Sequence, residues 1–241
     1  MSSPVQGARR SEGDPLDVLN APAVPAAAVL LLHGGRSEGL EPPPPVNLPA
    51  LRMRPFAARL RRTLADRDVL VALVRYRHRG WNGPRADAAR DAEAALAALA
   101  RTAGDVPVVL VGHSMGARAA LRAAGHPAVR GVVGLAPWCP PGEPVGHLAG
   151  RRIHLLHDEA DRVTSASATW DLVRRANAAG AHAEGIVMGR GGHAMLLGAA
   201  DWHRRTTELV AALLVTPPPD GEPVEGEAGG REAGEGEAGT V

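Results

Sequence analysis

The sequence of 241 residues contains no lysine, so all 27 of its basic side chains other than histidine are arginine. Aromatic residues are also scarce, with one Phe, one Tyr and four Trp. So few rings do not form a stacking platform for nucleic-acid bases. The formal net charge is +1, which gives no overall attraction for a nucleic acid or an anionic membrane. We therefore expect neither of these partners.

Cysteine occurs once, as Cys139, which excludes a disulfide within the chain and leaves its redox compartment open. No apolar run approaches the roughly 20 residues that a transmembrane helix needs. The first residues also lack the apolar core of a secretory signal. These absences predict a cytoplasmic protein. The histidines lack metal-binding spacings such as H-E-x-x-H, so we expect no metal site.

Composition divides the chain into three segments. Residues 1–15 are polar and rich in Gly, Ser and Pro, which predicts a disordered segment. Residues 16–215 have the length and apolar content of one well-buried domain. Residues 216–241 are acidic and of low complexity, which predicts a second disordered segment. No oligomeric state is predicted from these patterns.

Within the middle segment, apolar runs typical of buried strands alternate with helical patterns. The predicted strands lie at 26–32, 69–74, 108–111, 129–135, 152–157 and 183–188, with a short edge strand within 16–24. The predicted helices lie at 53–65, 86–103, 164–179 and 194–214, and another follows residue 116. This alternation predicts an α/β fold with a doubly wound, mostly parallel sheet and helices on both faces. Ligands bind such sheets at the carboxyl ends of the strands.

Residues 112–116 read G-H-S-M-G and lie between a predicted buried strand and a helix-favouring segment. A serine between such glycines occupies a tight turn that exposes its hydroxyl, the arrangement called a nucleophile elbow. Ser114 is therefore the candidate nucleophile. The amide of Met115, at the start of the following helix, can stabilise a negatively charged oxygen. A plain turn with a surface serine is the alternative interpretation.

A serine hydroxyl needs a base to take its proton and a third group to orient that base. After a nucleophile elbow, the acid and then the histidine follow the serine along the chain. Asp161 lies in a turn after a predicted strand, and His193 lies in a glycine-rich turn after the last strand. Asp158 and Glu159 lie in the same turn as Asp161, so both are alternative acids.

These motifs resemble those of the α/β-hydrolase superfamily, near its cap-less serine esterases and dienelactone-hydrolase-like members, over residues 26–214. That family often carries H-G-x-x-D-x-x-V/T-P around its acid. Residues 157–163 read H-D-E-A-D-R-V, which places Asp161 at the acid position and Asp158 in the glycine position. The G-G-H of the family corresponds to residues 191–193. The resemblance implies an oxyanion hole formed by the amides of Gly35 and Met115, with Arg36 as an alternative to Gly35.

The sequence departs from the family pattern in two ways. The pair of antiparallel strands that usually begins the fold has room for little more than one short strand. Residues 140–150 are too few for an α-helical cap. We therefore expect an α/β-hydrolase fold of about six or seven strands, with no large cap domain and a site that is open or covered only by loops.

Other polar residues are predicted to have supporting roles or none. His33 and His113 are expected to hydrogen-bond within their loops. No catalytic role is predicted for three further histidines, His157, His182 and His203. Cys139 is predicted to be a small apolar wall residue, because no base is assigned near it. The loop at 75–85 is expected to bring Trp81 and several arginines to the rim of the site, where an arginine contact to an acidic substrate is the alternative to a solvated surface.

The sequence thus predicts a serine hydrolase that cleaves a carboxylic ester or thioester of a small molecule through an acyl-enzyme, without a cofactor. The same fold hosts other chemistry. An acyltransferase, a haloperoxidase- or lyase-like enzyme and a ligand receptor are therefore alternatives. The presence of Ser114, Asp161 and His193 together weighs against a receptor, which needs no such set.

Overall fold

The predicted alternation of strands and helices forms a single seven-stranded sheet in the computed structural model, which describes residues 13–215. The strands are β1 (Leu16–Asn20), β2 (Ala27–Leu32), β3 (Val69–Val74), β4 (Val108–His113), β5 (Val129–Leu135), β6 (Arg152–His157) and β7 (His182–Val187). Their order across the sheet is β1-β3-β2-β4-β5-β6-β7. Only β1 is antiparallel to its neighbour among these strands. The predicted doubly wound, mostly parallel sheet is confirmed.

Five helices cover the two faces of this sheet within the described residues. They are α1 (Leu48–Thr63), α2 (Asp87–Ala103), α3 (Met115–Ala123), α4 (Ala166–Ala178) and α5 (Ala199–Val215). Helices α2, α3 and α4 enclose one apolar core, and α1 and α5 enclose the other. Between residues 13 and 215, no helix is both long enough and apolar enough to cross a membrane.

Strands β2 and β3 consist only of apolar residues, because parallel strands are packed against helices on both faces. All residues of β2, β3 and β4 are buried. Strand β7 lies at the edge of the sheet, and most of its residues are exposed. The carboxyl ends of the six parallel strands share one edge, so the loops that follow β2, β4, β6 and β7 meet there.

Two helices begin five residues away from the positions that the sequence predicts. Helix α1 begins at Leu48 rather than 53, with Pro49 in its first turn, where the missing N–H of a proline is tolerated. Helix α5 begins at Ala199 rather than 194. Met195 and Gly198 have φ angles of 55° and 69°, which are incompatible with a continuous α-helix.

The two segments predicted to be disordered fall almost wholly outside the described part of the chain. Residues 1–12 and 216–241 lie outside it.

Candidate active site

Ser114 lies between the central strand β4 and helix α3, in a backbone conformation that is rare for residues other than glycine. Its φ and ψ angles are 55° and −117°. A Cβ atom on Gly112 would lie 2.5 Å from Cα of Ala117, and one on Gly116 would lie 2.6 Å from the carbonyl oxygen of His33. Both neighbouring glycines are therefore required by close packing. This is the geometry expected for the elbow.

Asp161 and His193 are brought together from the loops after β6 and β7. Oδ2 of Asp161 lies 3.0 Å from Nδ1 of His193, and the Asp161 side chain is fully buried. Oδ1 accepts hydrogen bonds from the amides of Val163 at 2.7 Å and Thr164 at 3.1 Å. Burial alone would raise the pKa of Asp161, but the bonds from Val163, His193 and Thr164 outweigh it and hold the pKa below its usual value. A charged Asp161 keeps the proton of a neutral His193 on Nδ1 and leaves Nε2 basic.

The hydrogen bonds of the His193 imidazole within residues 13–215 reach Asp161 and Thr164, whose Oγ1 lies 3.2 Å from Nδ1. None joins His193 to the hydroxyl of Ser114. Contacts between a base and a nucleophile are often long when no substrate is bound. The geometry therefore orients the imidazole and leaves its Nε2 side unbonded.

The two alternative acids lie in other surroundings. Asp158 is buried, and its carboxylate accepts hydrogen bonds from the amides of Ala160 at 2.9 Å and Gly192 at 2.7 Å. Glu159 is exposed. Neither side chain hydrogen-bonds to the imidazole of His193 within the described part of the chain. The arrangement thus favours Asp161 as the partner of the histidine.

A second histidine also contacts the carboxylate of Asp161. Nε2 of His157 lies 3.3 Å from Oδ2, and both side chains are fully buried. Burial lowers the pKa of His157 despite this carboxylate. Nδ1 lies 2.7 Å from Oγ1 of Thr169, so a neutral ring that accepts from this hydroxyl donates from Nε2 to Asp161. Sequence reasoning missed this contact, although a histidine ending a buried strand beside the acid turn could have indicated it.

A third histidine, His113, contacts both the backbone and the ring of His193. Its Nε2 lies 2.9 Å from the carbonyl oxygen of His193 and donates to it, and the two ring centroids are 4.9 Å apart. Burial lowers the pKa of His113 to about 3, so this ring is neutral at ordinary pH. His33 lies within its own loop, with Nδ1 2.7 Å from the carbonyl oxygen of Gly34. The His33 contact agrees with the loop role predicted for it, whereas His113 bonds to a different loop from its own.

The backbone amides of Gly35 and Met115, near the elbow, have no acceptor among residues 13–215. The loop after β2 brings Gly35 against the side chain of Met115. The amide of Arg36, the alternative donor, is occupied because it donates to the carbonyl oxygen of Arg79 at 3.0 Å. The geometry therefore favours Gly35 over Arg36 as the partner of Met115.

Cys139 is buried after β5, and burial raises the pKa of its thiol to about 12. A thiol with so high a pKa is a poor nucleophile near neutral pH. In the described range, no group of three or more His, Cys, Asp or Glu side chains is placed to hold a metal ion.

Comparison with known families decides where this chain belongs. The model of the alpha/beta hydrolase family matches residues 29–228, which is most of the sequence. The chain belongs to the α/β hydrolase family. The resemblance drawn from the elbow and the two loop motifs is confirmed.

Solved structures with the same fold are distant in sequence from this α/β hydrolase. A serine hydrolase without a lid from Xanthomonas campestris is 16% identical with a TM-score of 0.56, over 84% of this chain and 89% of that one. An esterase from Pyrococcus furiosus is 14% identical with a TM-score of 0.60, over 78% and 82%. A protein of unknown function from Agrobacterium tumefaciens is 16% identical with a TM-score of 0.65, over 85% and 94%. No curated protein matches this hydrolase significantly in sequence.

The segment of this α/β hydrolase between β5 and β6 contains one short 3-10 turn, Gly146–Leu148, and no cap domain. The segment is tied to helix α3 by Glu143, which is buried and accepts hydrogen bonds from Arg118 and Arg122. The Arg118 guanidinium stacks 3.9 Å from the ring centroid of Trp81. The prediction that Trp81 lies at the rim is therefore wrong, since this ring is buried beneath the arginine.

The arginines of the loop at 75–85 pair with carboxylates instead of forming a free cationic rim. Three of these pairs are Arg75–Asp17 at 3.5 Å, Arg77–Asp91 at 2.5 Å and Arg79–Glu41 at 3.3 Å. These pairs indicate that the arginines belong to a solvated surface, and they disfavour an arginine contact to an acidic substrate.

Proposed function

We propose that this protein is a serine hydrolase that cleaves a carboxylic ester or thioester of a small molecule through an acyl-enzyme intermediate. The observation that carries the proposal is the 3.0 Å contact between Asp161 and His193, in loops that adjoin the elbow of Ser114. A buried carboxylate on Nδ1 leaves Nε2 free to act as the base that a serine nucleophile requires.

The first half of the proposed reaction forms the acyl-enzyme. Oγ of Ser114 attacks the carbonyl carbon, and its proton passes to Nε2 of His193. The tetrahedral intermediate then collapses, the bond to the leaving group breaks, and the imidazolium donates its proton to the departing oxygen or sulfur. In the second half, water attacks the acyl-enzyme after losing a proton to His193, and Ser114 is released as the free hydroxyl.

Two groups are proposed to stabilise the charges that develop during these steps. Asp161 stabilises the imidazolium of His193 electrostatically and remains charged itself. The unpaired amides of Gly35 and Met115 bind the oxyanion, and removal of a single such donor costs about 3–4 kcal/mol in comparable enzymes. The proposed reaction uses no cofactor.

A cleft beside Gly35 is the proposed acyl site. Its volume is about 320 Å³, and its walls include Gly34, Pro43, Pro44 and Val46. Proline and valine side chains provide apolar surface with little conformational freedom to lose, which suits a short hydrocarbon chain. The cleft thus supports a small acyl group as part of the substrate.

Covalent labelling with a fluorophosphonate tests the proposed nucleophile. Intact-mass measurement should show one adduct on the wild type and none on Ser114→Ala, which should also lose hydrolysis of p-nitrophenyl butyrate. Ser167→Ala, which changes an exposed serine on α4, is the matched control and should label like the wild type. Equal labelling of folded Ser114→Ala, or a folded wild type that neither labels nor hydrolyses esters, would contradict the proposal and favour a receptor.

A further inference from the structure

The loop that presents His193 has little regular structure of its own. It connects β7 with α5, and several of its residues have positive φ angles, which prevent continuous helix or strand pairing. These residues are Gly191, Gly192, Met195 and Gly198. The position of the imidazole therefore depends on contacts that other elements make with the loop backbone.

Three side chains from separate elements make such contacts. Nε1 of Trp202 donates to the carbonyl oxygen of Arg190 at 2.8 Å, and His113 donates to that of His193 at 2.9 Å. Asp158 accepts from the amide of Gly192 at 2.7 Å. Of the three, the Asp158 contact is the one that links this loop to the turn that carries Asp161.

Both oxygens of Asp158 are used to join the two loops. Oδ1 accepts from the amide of Ala160, within the acid turn, and Oδ2 accepts from Gly192, in the histidine loop. The side chain is buried, so neither bond is easily replaced by water. The family pattern has glycine at this position, which has no side chain to form the link. Asp158 is thus a feature of this chain beyond the family motif.

We propose that Asp158 is a positioning residue for His193. By holding the amide of Gly192 against the acid turn, it fixes the distance between the histidine loop and Asp161 and keeps Nδ1 of His193 on Oδ2 of Asp161. Asp158 does not contact the substrate or exchange a proton in this role. The inference rests on the proposed function, because it assigns His193 as the base.

The first test compares Asp158→Gly and Asp158→Asn with the wild type in the hydrolysis of p-nitrophenyl butyrate. Asp158→Gly removes both acceptors, and a small displacement of a catalytic group lowers kcat by about 10- to 100-fold. KM should change little, since the acyl cleft is formed by other residues. Asp158→Asn retains one acceptor oxygen, so its kcat should lie between those of the wild type and Asp158→Gly. An unchanged kcat in a folded Asp158→Gly would overturn the proposal.

A double-mutant cycle separates positioning of His193 from a general structural role. In the His193→Ala background, the residual activity no longer depends on where the imidazole lies, so Asp158→Gly should cause almost no further loss. The same fold loss in both backgrounds would overturn the proposal. Leu213→Ala, which removes a buried side chain at the far end of α5, is the control for general destabilisation, and it should lower Tm without the kcat loss of Asp158→Gly.

Hydrogen–deuterium exchange provides a readout that does not depend on activity. Peptides spanning residues 189–198 should exchange faster in Asp158→Gly than in the wild type, and unchanged exchange would count against the link. If the wild type labels at Ser114 but Asp158→Asn loses more activity than Asp161→Asn, Asp158 is the acid and the positioning role is overturned. A wild type without labelling instead contradicts the proposed function, while faster exchange would still support the link between the loops.

Discussion

A Cβ atom on Gly35 would lie 2.6 Å from Sδ of Met115, so the loop after β2 passes directly against the first residue of helix α3. The same Cβ would lie 2.6 Å from the carbonyl oxygen of Arg79. Glycine at this position therefore lets two loops and the elbow meet. The proposed oxyanion hole uses the amides of these same two residues, Gly35 and Met115.

Gly35→Ala should disturb this arrangement without removing any catalytic side chain. The added methyl group would press on the carbonyl oxygen of Arg79 as well as on the Met115 side chain, so the loop that carries the Gly35 amide must shift away from the oxyanion. We expect kcat for p-nitrophenyl butyrate to fall by about 10² to 10³. Gly146→Ala is the control, because its Cβ would meet no atom within 4 Å. A Gly35→Ala enzyme with wild-type kcat would exclude Gly35 from the oxyanion hole.

Asp161→Asn should preserve the shape of the acid turn but favour the wrong tautomer of His193. An asparagine that donates to Nδ1 places the imidazole proton on Nε2, where it blocks the base. The expected loss in kcat is up to about 10⁴, as in other triads. Asp171→Asn, at an exposed carboxylate of α4 that pairs with Arg174 and Arg175, is the control. A loss of less than about tenfold would show that Asp161 does not orient the base.

His113 should make the fold sensitive to mild acid. Its pKa is about 3 in the folded protein against an ordinary value of 6.5, so the unfolded chain binds a proton first as the pH falls. The stability held above pH 6.5 is therefore lost progressively down to about pH 3, by up to about 1.4 kcal/mol per pH unit. Urea unfolding between pH 7 and pH 4.5 should show that the free energy of unfolding falls less steeply in His113→Gln than in the wild type. Equal slopes for both proteins would contradict this burial effect.

Substrate length should reveal how much acyl chain the site covers. Each buried CH₂ contributes about 0.8 kcal/mol, so kcat/KM should rise while added methylenes still enter the 320 Å³ cleft. For p-nitrophenyl esters from acetate to palmitate, we expect a rise up to butyrate or hexanoate and then a plateau or a fall. A steady rise through C12–C16 would mean that the loop before α1 closes over longer chains.

Much of the framework could be predicted because buried strands have a strong local signal. The bounds of β3, β5 and β6 are those expected from their apolar runs. The start of α5 could not be predicted, since the left-handed conformation of Met195 depends on contacts that the loop makes after folding.

In the candidate site, too, sequence neighbours identify some residues, whereas the contacts of others depend on the folded structure. Ser114 could be found from its own neighbours in sequence. The contacts of His157 with Asp161 and of Asp158 with Gly192 depend on how closely the loops after β6 and β7 approach each other. A single sequence does not specify that distance, so the sequence analysis considered Asp158 only as an alternative acid and predicted no catalytic role for His157.

The position of β7 at the edge of the sheet has a consequence for how this protein would lose activity on heating. Ser114 follows the central strand β4, whereas His193 follows β7, whose residues are mostly exposed. Peripheral elements with few buried contacts open more readily than the centre of a domain. Gentle heating should therefore separate His193, the proposed base, from Ser114 while the central strands stay folded. Loss of activity would then precede melting, and the inactive protein would keep the circular dichroism of the folded state.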